Sequence, residues 1–108
     1  ILGVTFKENC PDIRNTKVVD IYHTLQEYTN DITIYDPWAD RSKMEQAYGL
    51  KLFEGPVREL EGRFDAVILS VAHRQFETMN IRNFLAGSEG VVYDVKGVLD
   101  KDQIDGRL

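Results

Sequence analysis

A chain of 108 residues, 43% of them hydrophobic and 29% charged, has the size and mix of one globular domain with a core of its own. Lys+Arg 13 against Asp+Glu 18 leaves a net charge of -5, which sets nucleic-acid binding aside as the main task. No apolar run approaches the ~18 residues that would suggest a membrane span, and the single cysteine, Cys10, excludes an internal disulfide framework and a multi-cysteine zinc site.

That cysteine usage fits a reducing, cytoplasmic setting. The chain opens on Ile1-Leu2-Gly3-Val4-Thr5, already strand-like and without a methionine, and closes on Gly106-Arg107-Leu108 after a polar stretch. It reads as one domain, residues 1–108, of a longer protein.

Residues 1–5 are compatible with a buried parallel strand. Residues 6–15 read as a loop, with Asn9, Pro11 and Asp12 as breakers. Val18, Ile21, Tyr22, Leu25 and Tyr28 recur at helical spacing, with Asp12, Asn15 or Thr16 as possible N-caps. Residues 32–35 predict a second strand ending at Asp36-Pro37. Met44, Ala47 and Tyr48 mark a helix closed by Gly49. Residues 50–53 predict a short strand, and Pro56 sits at the start of a helical turn carrying Val57 and Leu60.

Residues 66–71 are apolar throughout and predict the central strand. Residues 73–85 predict two short helical pieces broken near Asn80. Residues 91–95 predict the last strand, before Lys96-Gly97 and a short helix or tail. Strands alternating with helices predict a Rossmann-like, three-layer αβα domain with a five-stranded, mainly parallel sheet.

In such sheets ligands sit beyond the carboxyl ends of the strands, near the point where strand order reverses. The residues there are Phe6-Lys7, Asp36-Pro37, Ala72-His73-Arg74 and Lys96-Gly97, with Arg14 nearby in the loop or first helical turn. Lys7 and Lys96 on one edge of an acidic domain suit a small anion, most simply a phosphate. Spacing alone leaves open that they are solvated strand-end charges.

A primary dinucleotide domain needs Gly-x-Gly-x-x-Gly after its first strand, so that backbone can approach a pyrophosphate. Gly3-Val4-Thr5-Phe6-Lys7-Glu8 has one glycine, and Phe6 blocks that approach. Asp36 stands where a ribose-binding acid would, but without the glycines it reads as the cap of the next helix. Cys10, beside Pro11 and without a nearby histidine, reads as an incidental thiol rather than a nucleophile. His23 reads as surface. For His73, after the central strand, helix capping, support of a neighbour and catalysis are all open. Trp38 reads as a lid on a helix start or an interface anchor.

The run Gly3-Val4-Thr5-Phe6-Lys7-Glu8-Asn9-Cys10-Pro11-Asp12-Ile13-Arg14-Asn15 closely resembles the opening of the C-terminal, UDP-binding domain of the UDP-glucose/GDP-mannose dehydrogenase family. Asp36-Pro37 and Tyr93-Asp94-Val95-Lys96-Gly97 match further features of that domain, so the resemblance spans essentially the whole chain. Its wording is most similar to bacterial enzymes that oxidise UDP-N-acetylhexosamines, precursors of surface polysaccharide.

The resemblance implies a parent enzyme with an NAD-binding N-terminal domain, a dimerising central linker and this C-terminal domain, and so a homo-oligomer at full length. It implies oxidation of the C6 hydroxyl of a UDP-sugar to a carboxylate by two hydride transfers to NAD. The family's catalytic cysteine, which forms a thiohemiacetal and then a thioester, lies in the middle of the family sequence and is not matched by Cys10. No catalytic residue is therefore assigned in this chain. Phe6 and Lys7 resemble positions that contact UDP, Lys96 a basic substrate contact, and Arg14 a residue that reaches NAD on the other domain. At Lys96 some relatives carry arginine, which puts a bidentate phosphate contact in doubt. The competing readings are a non-enzymatic nucleotide-binding module and a dimerisation module.

Overall fold

The computed structural model describes residues 1–108. The apolar run after Phe64 forms β1, Ala66–Leu69, and the Val-Val-Tyr-Asp run forms β2, Val91–Asp94. They pair in parallel with Ala66 opposite Val91 and Leu69 opposite Asp94. A short β3, Gly106–Arg107, adds in parallel beyond β2, with Gly106 opposite Tyr93.

The expected five-stranded sheet is thus corrected to a three-stranded one, ordered β1-β2-β3. Residues 1–5 and 32–35 lie beside it but contribute only isolated parallel bridges, Leu2 to Leu69 and Leu2 to Tyr35. The cause is a local kink. The amides of Ser70 and Val71 converge on the Leu2 carbonyl at 2.9 and 3.4 Å, and Gly3 turns away at a φ of 90°. Regular pairing cannot propagate through that point. Residues 50–53 make one bond of this kind, Phe53 N to Ile34 O at 2.8 Å. The C-terminal residues, read as helix or tail, instead hold a helical turn at Lys101–Gln103 and then β3.

The helices follow the apolar spacing. α1 is Val18–Gln26, its Val18 amide donating to Thr16 Oγ1 at 3.2 Å. It stops short of Tyr28, which is 82% exposed rather than on the core face. α2 is Arg41–Tyr48, capped by Asp40 and closed by left-handed Gly49. Asp36 therefore does not cap this helix, contrary to expectation. α3 is Arg74–Glu77, followed after Asn80 by a 3₁₀ turn at Ile81–Phe84, two pieces as expected. Another such turn, Val57–Leu60, follows Pro56. No helix is long and apolar enough to cross a membrane.

Two apolar clusters hold these elements. One gathers Leu2, Leu69, Phe76, Ile81 and Val92 with their neighbours, and the other gathers Val4, Val18, Ile34, Met44 and Val71.

Laterally, Tyr35 neighbours Leu2, Leu2 neighbours β1, and β1 neighbours β2. The chain steps from its first extended segment outward to the second, then returns to the other side of the first to build β1. Strand order reverses there, so the loops after Thr5 and after Leu69 meet at the crevice where open α/β sheets bind ligands.

Gly3 is the tightest point of that junction. A Cβ on it would stand 2.6 Å from Val71 Cβ and 2.8 Å from Val71 N. Gly3→Ala adds overpacking to a backbone conformation that alanine resists, at a combined cost of about 2–5 kcal/mol. Denaturant unfolding measures it, and an unchanged midpoint would contradict this packing.

Candidate functional site

The site begins at Asp36, the residue that ends the Tyr35 segment. Its side chain is fully buried against His73, with His73 Nε2 2.9 Å from Asp36 Oδ2. The same oxygen accepts from the Val4 and Thr5 amides at 2.7 and 3.3 Å, and Oδ1 accepts from the Trp38 and Ala39 amides at 2.7 and 2.9 Å. One carboxylate therefore ties together the ends of three segments: the first, its own, and β1. Burial pushes the Asp36 carboxyl up, but the hydrogen bonds from His73 and the Val4, Trp38 and Ala39 amides more than reverse this and leave it below its ordinary value.

Asp94 repeats the device at the end of β2. Its Oδ1 accepts from the Lys96 and Gly97 amides at 2.9 and 2.8 Å, and Oδ2 from Leu99 N at 2.8 Å. The backbone at Lys96 is fixed by this buried acid, whereas its side chain is free to reach Glu8, Nζ to Oε1 at 3.3 Å. The Glu8 carboxyl lies below its ordinary value, chiefly through a hydrogen bond from its own backbone and secondarily through Lys96, against the opposing effect of burial.

Three of the four residues singled out in sequence come together here through short links. Phe6 follows buried Thr5, is itself 55% exposed, and donates its amide to Asp12 O at 2.6 Å. Lys7 is exposed and makes no ion pair, and its carbonyl accepts from Thr5 Oγ1 at 2.9 Å. Lys96 joins through Glu8. Arg14 stands farther along the same loop, exposed, with Nε donating to Asp12 Oδ1 and Nη2 to Asp12 Oδ2, each at 3.0 Å. That pairing holds the Asp12 carboxyl down at about 2, the side-chain hydrogen bond from Arg14 contributing most. Asp12 occupies one edge of the guanidinium and leaves the Nη1 side open.

The other notable residues have structural surroundings. His23 is exposed, as expected. Cys10 is half-buried. Trp38 lies between the His73 ring at 6.2 Å and the Arg74 guanidinium at 5.5 Å, with its Nε1 donating to Gln75 Oε1 at 3.0 Å, so it covers the start of α3. Sequence reasoning missed the Asp36–His73 pair, because nothing local ties residues 37 positions apart. The usable signal was the arrival of both at strand ends flanking one crevice.

A half-open cleft of about 290 Å³ lies elsewhere, at the amino ends of the extended segments, lined by Ile1, Asp31, Ile32, Arg63, Phe64 and Ala66 among others. Its lining mixes six apolar residues with five polar or charged ones, among them Arg63, and has no lysine. The carboxyl-end edge is an open surface that carries the exposed Lys7 and Lys96.

A parallel α/β sheet with a topological switch point places the domain in the class of open α/β sheets that bind ligands at their carboxyl ends. The chain belongs to the UDP-glucose/GDP-mannose dehydrogenase family: that family's UDP binding domain matches residues 1–101. It is 44% identical over its whole length to a UDP-N-acetyl-D-glucosamine 6-dehydrogenase of Pseudomonas aeruginosa and to one of Salmonella typhi. The chain spans about a quarter of the length of these relatives, 25% in each case. The fold is similar to that of a UDP-N-acetyl-mannosamine dehydrogenase from S. aureus, with a TM-score of 0.69 at 21% identity over 98% of this chain and 24% of that one.

Removing the Asp36 carboxylate strands His73 and four amides, and Asp36→Ala is expected to cost about 3–5 kcal/mol of stability. The depressed folded-state value means that this contribution is complete above the unfolded-chain value near 4 and is lost as pH falls through the lower folded value. Unfolding midpoints of the wild type and Asp36→Asn, followed from neutral pH into acid, should converge below about pH 4. A constant gap would show that Asp36 is not the titrating anchor.

Proposed function

We propose that this domain holds the UDP moiety of a nucleotide sugar at the carboxyl-end crevice, as the substrate-binding part of an NAD-dependent UDP-sugar 6-dehydrogenase. That enzyme oxidises the C6 hydroxyl to a carboxylate, and the 44% relatives favour a UDP-N-acetylhexosamine as substrate. The observation that carries the reading is the convergence of Phe6, Lys7 and Lys96 at the switch point, in a chain matching a UDP binding domain over residues 1–101.

Lys7, exposed and without an ion pair, supplies charge to a phosphate oxygen, while Phe6 offers an exposed ring beside it. Lys96 adds a second cation when Glu8 yields it. The chain's residues do not build a dinucleotide cradle: Gly3 is packed against Val71, and Thr5 and Glu8 stand where the second and third glycines would. NAD, the hydride acceptor of the reaction, is therefore held mainly by another domain. Arg14 fits a single contact to it: Asp12 fixes one edge of the fork, and the open edge can meet a pyrophosphate oxygen across the domain boundary.

In the intact dehydrogenase, Lys7→Ala should weaken UDP-sugar binding by about 1.5–3 kcal/mol, the range for hydrogen bonds to charged groups. Unchanged affinity by calorimetry would return Lys7 to a solvated charge. Arg14→Ala should raise the NAD requirement and spare UDP-sugar binding, and the reverse pattern would assign this arginine to the wrong ligand. The 108-residue chain alone should produce no NADH from any UDP-sugar.

A further inference from the structure

We infer that His73, held as the Nε2–H tautomer, is a positioning residue that sets the loop carrying Phe6 and Lys7. The inference rests on the reading of that loop as the UDP contact.

The tautomer follows from an inventory of donors. The Asn9 amide can only donate, and it lies 3.0 Å from His73 Nδ1, so Nδ1 presents its lone pair. Thr5 Oγ1 spends its proton on the Lys7 carbonyl at 2.9 Å, so toward His73 it can only accept. The ring proton therefore sits on Nε2, between Asp36 Oδ2 at 2.9 Å and Thr5 Oγ1 at 3.2 Å. Each polar atom around the ring has a partner of the right kind, and the ring itself is wholly buried.

The consequence falls on the loop. The peptide groups on either side of Glu8 are both held: the Lys7 carbonyl by Thr5, and the Asn9 amide by His73. Asn9 adopts a left-handed φ of 54°, and its Oδ1 accepts from the Arg74 amide at 2.8 Å, a second tie to the end of β1. Glu8, between these anchors, reaches Lys96. One imidazole thus sets the backbone from which Lys7 projects and, through Glu8, the orientation of Lys96. Trp38 and Phe76, with ring centroids 6.2 and 5.7 Å from that of His73, lie against the imidazole. Wholly buried behind this loop, His73 acts through the residues it holds and is a positioning rather than a catalytic residue.

Two variants separate the two jobs of the ring. His73→Gln keeps a donor at the ε position for Asp36 and loses the acceptor for Asn9. His73→Asn keeps an acceptor at the δ position and loses the donor to Asp36. In the intact dehydrogenase, His73→Gln should raise the KM for UDP-sugar about tenfold, the effect of one lost hydrogen bond, and by more than it lowers kcat. Its thermal midpoint should stay closer to wild type than that of His73→Asn. His73→Asn should show the opposite order, with the lower midpoint and the smaller rise in KM.

Ring nitrogen shifts in ¹⁵N-histidine NMR of the unmutated chain should report a protonated Nε2 and a bare Nδ1. An Nδ1–H ring, or KM values that simply track thermal midpoints across both variants, would overturn the inference. An unchanged KM in His73→Gln beside a raised KM in Lys7→Ala would overturn it while leaving the UDP reading intact. Failure of the unmutated enzyme to saturate with UDP-sugar would remove both.

Discussion

The crevice depends on one buried carboxylate. A charge as enclosed as that of Asp36 is tolerated only when its lone pairs are filled, and here four amides and an imidazole fill them. The amides belong to two segment ends and the imidazole to a third, so satisfying the charge and assembling the crevice are the same event. A parallel sheet brings strand ends together without fixing the loops that leave them. Asp36 and, beyond β2, Asp94 do that fixing with side-chain oxygens aimed at backbone N–H groups. The result is a set of loops held rigidly by buried acids while their cations stand in solvent.

This division of labour suits anion binding. Lys7, Lys96 and Arg14 carry the charge, but their placement comes from uncharged or anionic neighbours: the Thr5 hydroxyl, Glu8 and Asp12. Glu8 and Asp12 also keep the cations partly compensated, in a chain whose net charge is -5. On the proposed reading, an incoming phosphate would compete with Glu8 for Lys96 and would meet no competing ion pair at Lys7.

Much of the fold was legible in the sequence because burial writes itself as periodicity. The α1 and α2 spacing, Gly49 as a helix end, the break at Asn80 and the strands at 66–69 and 91–94, inside the longer runs expected at 66–71 and 91–95, all follow from local rules. The sheet was over-read. Residues 1–5 and 32–35 have strand composition, but the kink at Gly3 and Ser70 is a tertiary accommodation that no local pattern announces. β3 was missed for the converse reason: two residues beginning with glycine carry no strand signal, and Gly106 is there because its missing side chain lets the Tyr93 ring close over it, within 3.0 Å of where a Cβ would stand. The candidate cations were legible as strand-end residues. Asp36 was misread as a helix cap, and the partner of His73 was invisible, because the bond that defines both is long-range.

The central claim is that the ligand sits at the carboxyl ends of the strands, on the loops that Asp36 and His73 assemble. Titration of the ¹⁵N-labelled chain with UDP, followed by amide chemical shifts, tests it most directly, because even weak binding moves resonances. The account predicts saturable shifts confined to the amides of Phe6, Lys7, Glu8, Lys96 and Gly97 and their immediate neighbours. Shifts centred instead on Thr33, Phe64 and Ala66, around the cavity at the opposite end of the sheet, would contradict it.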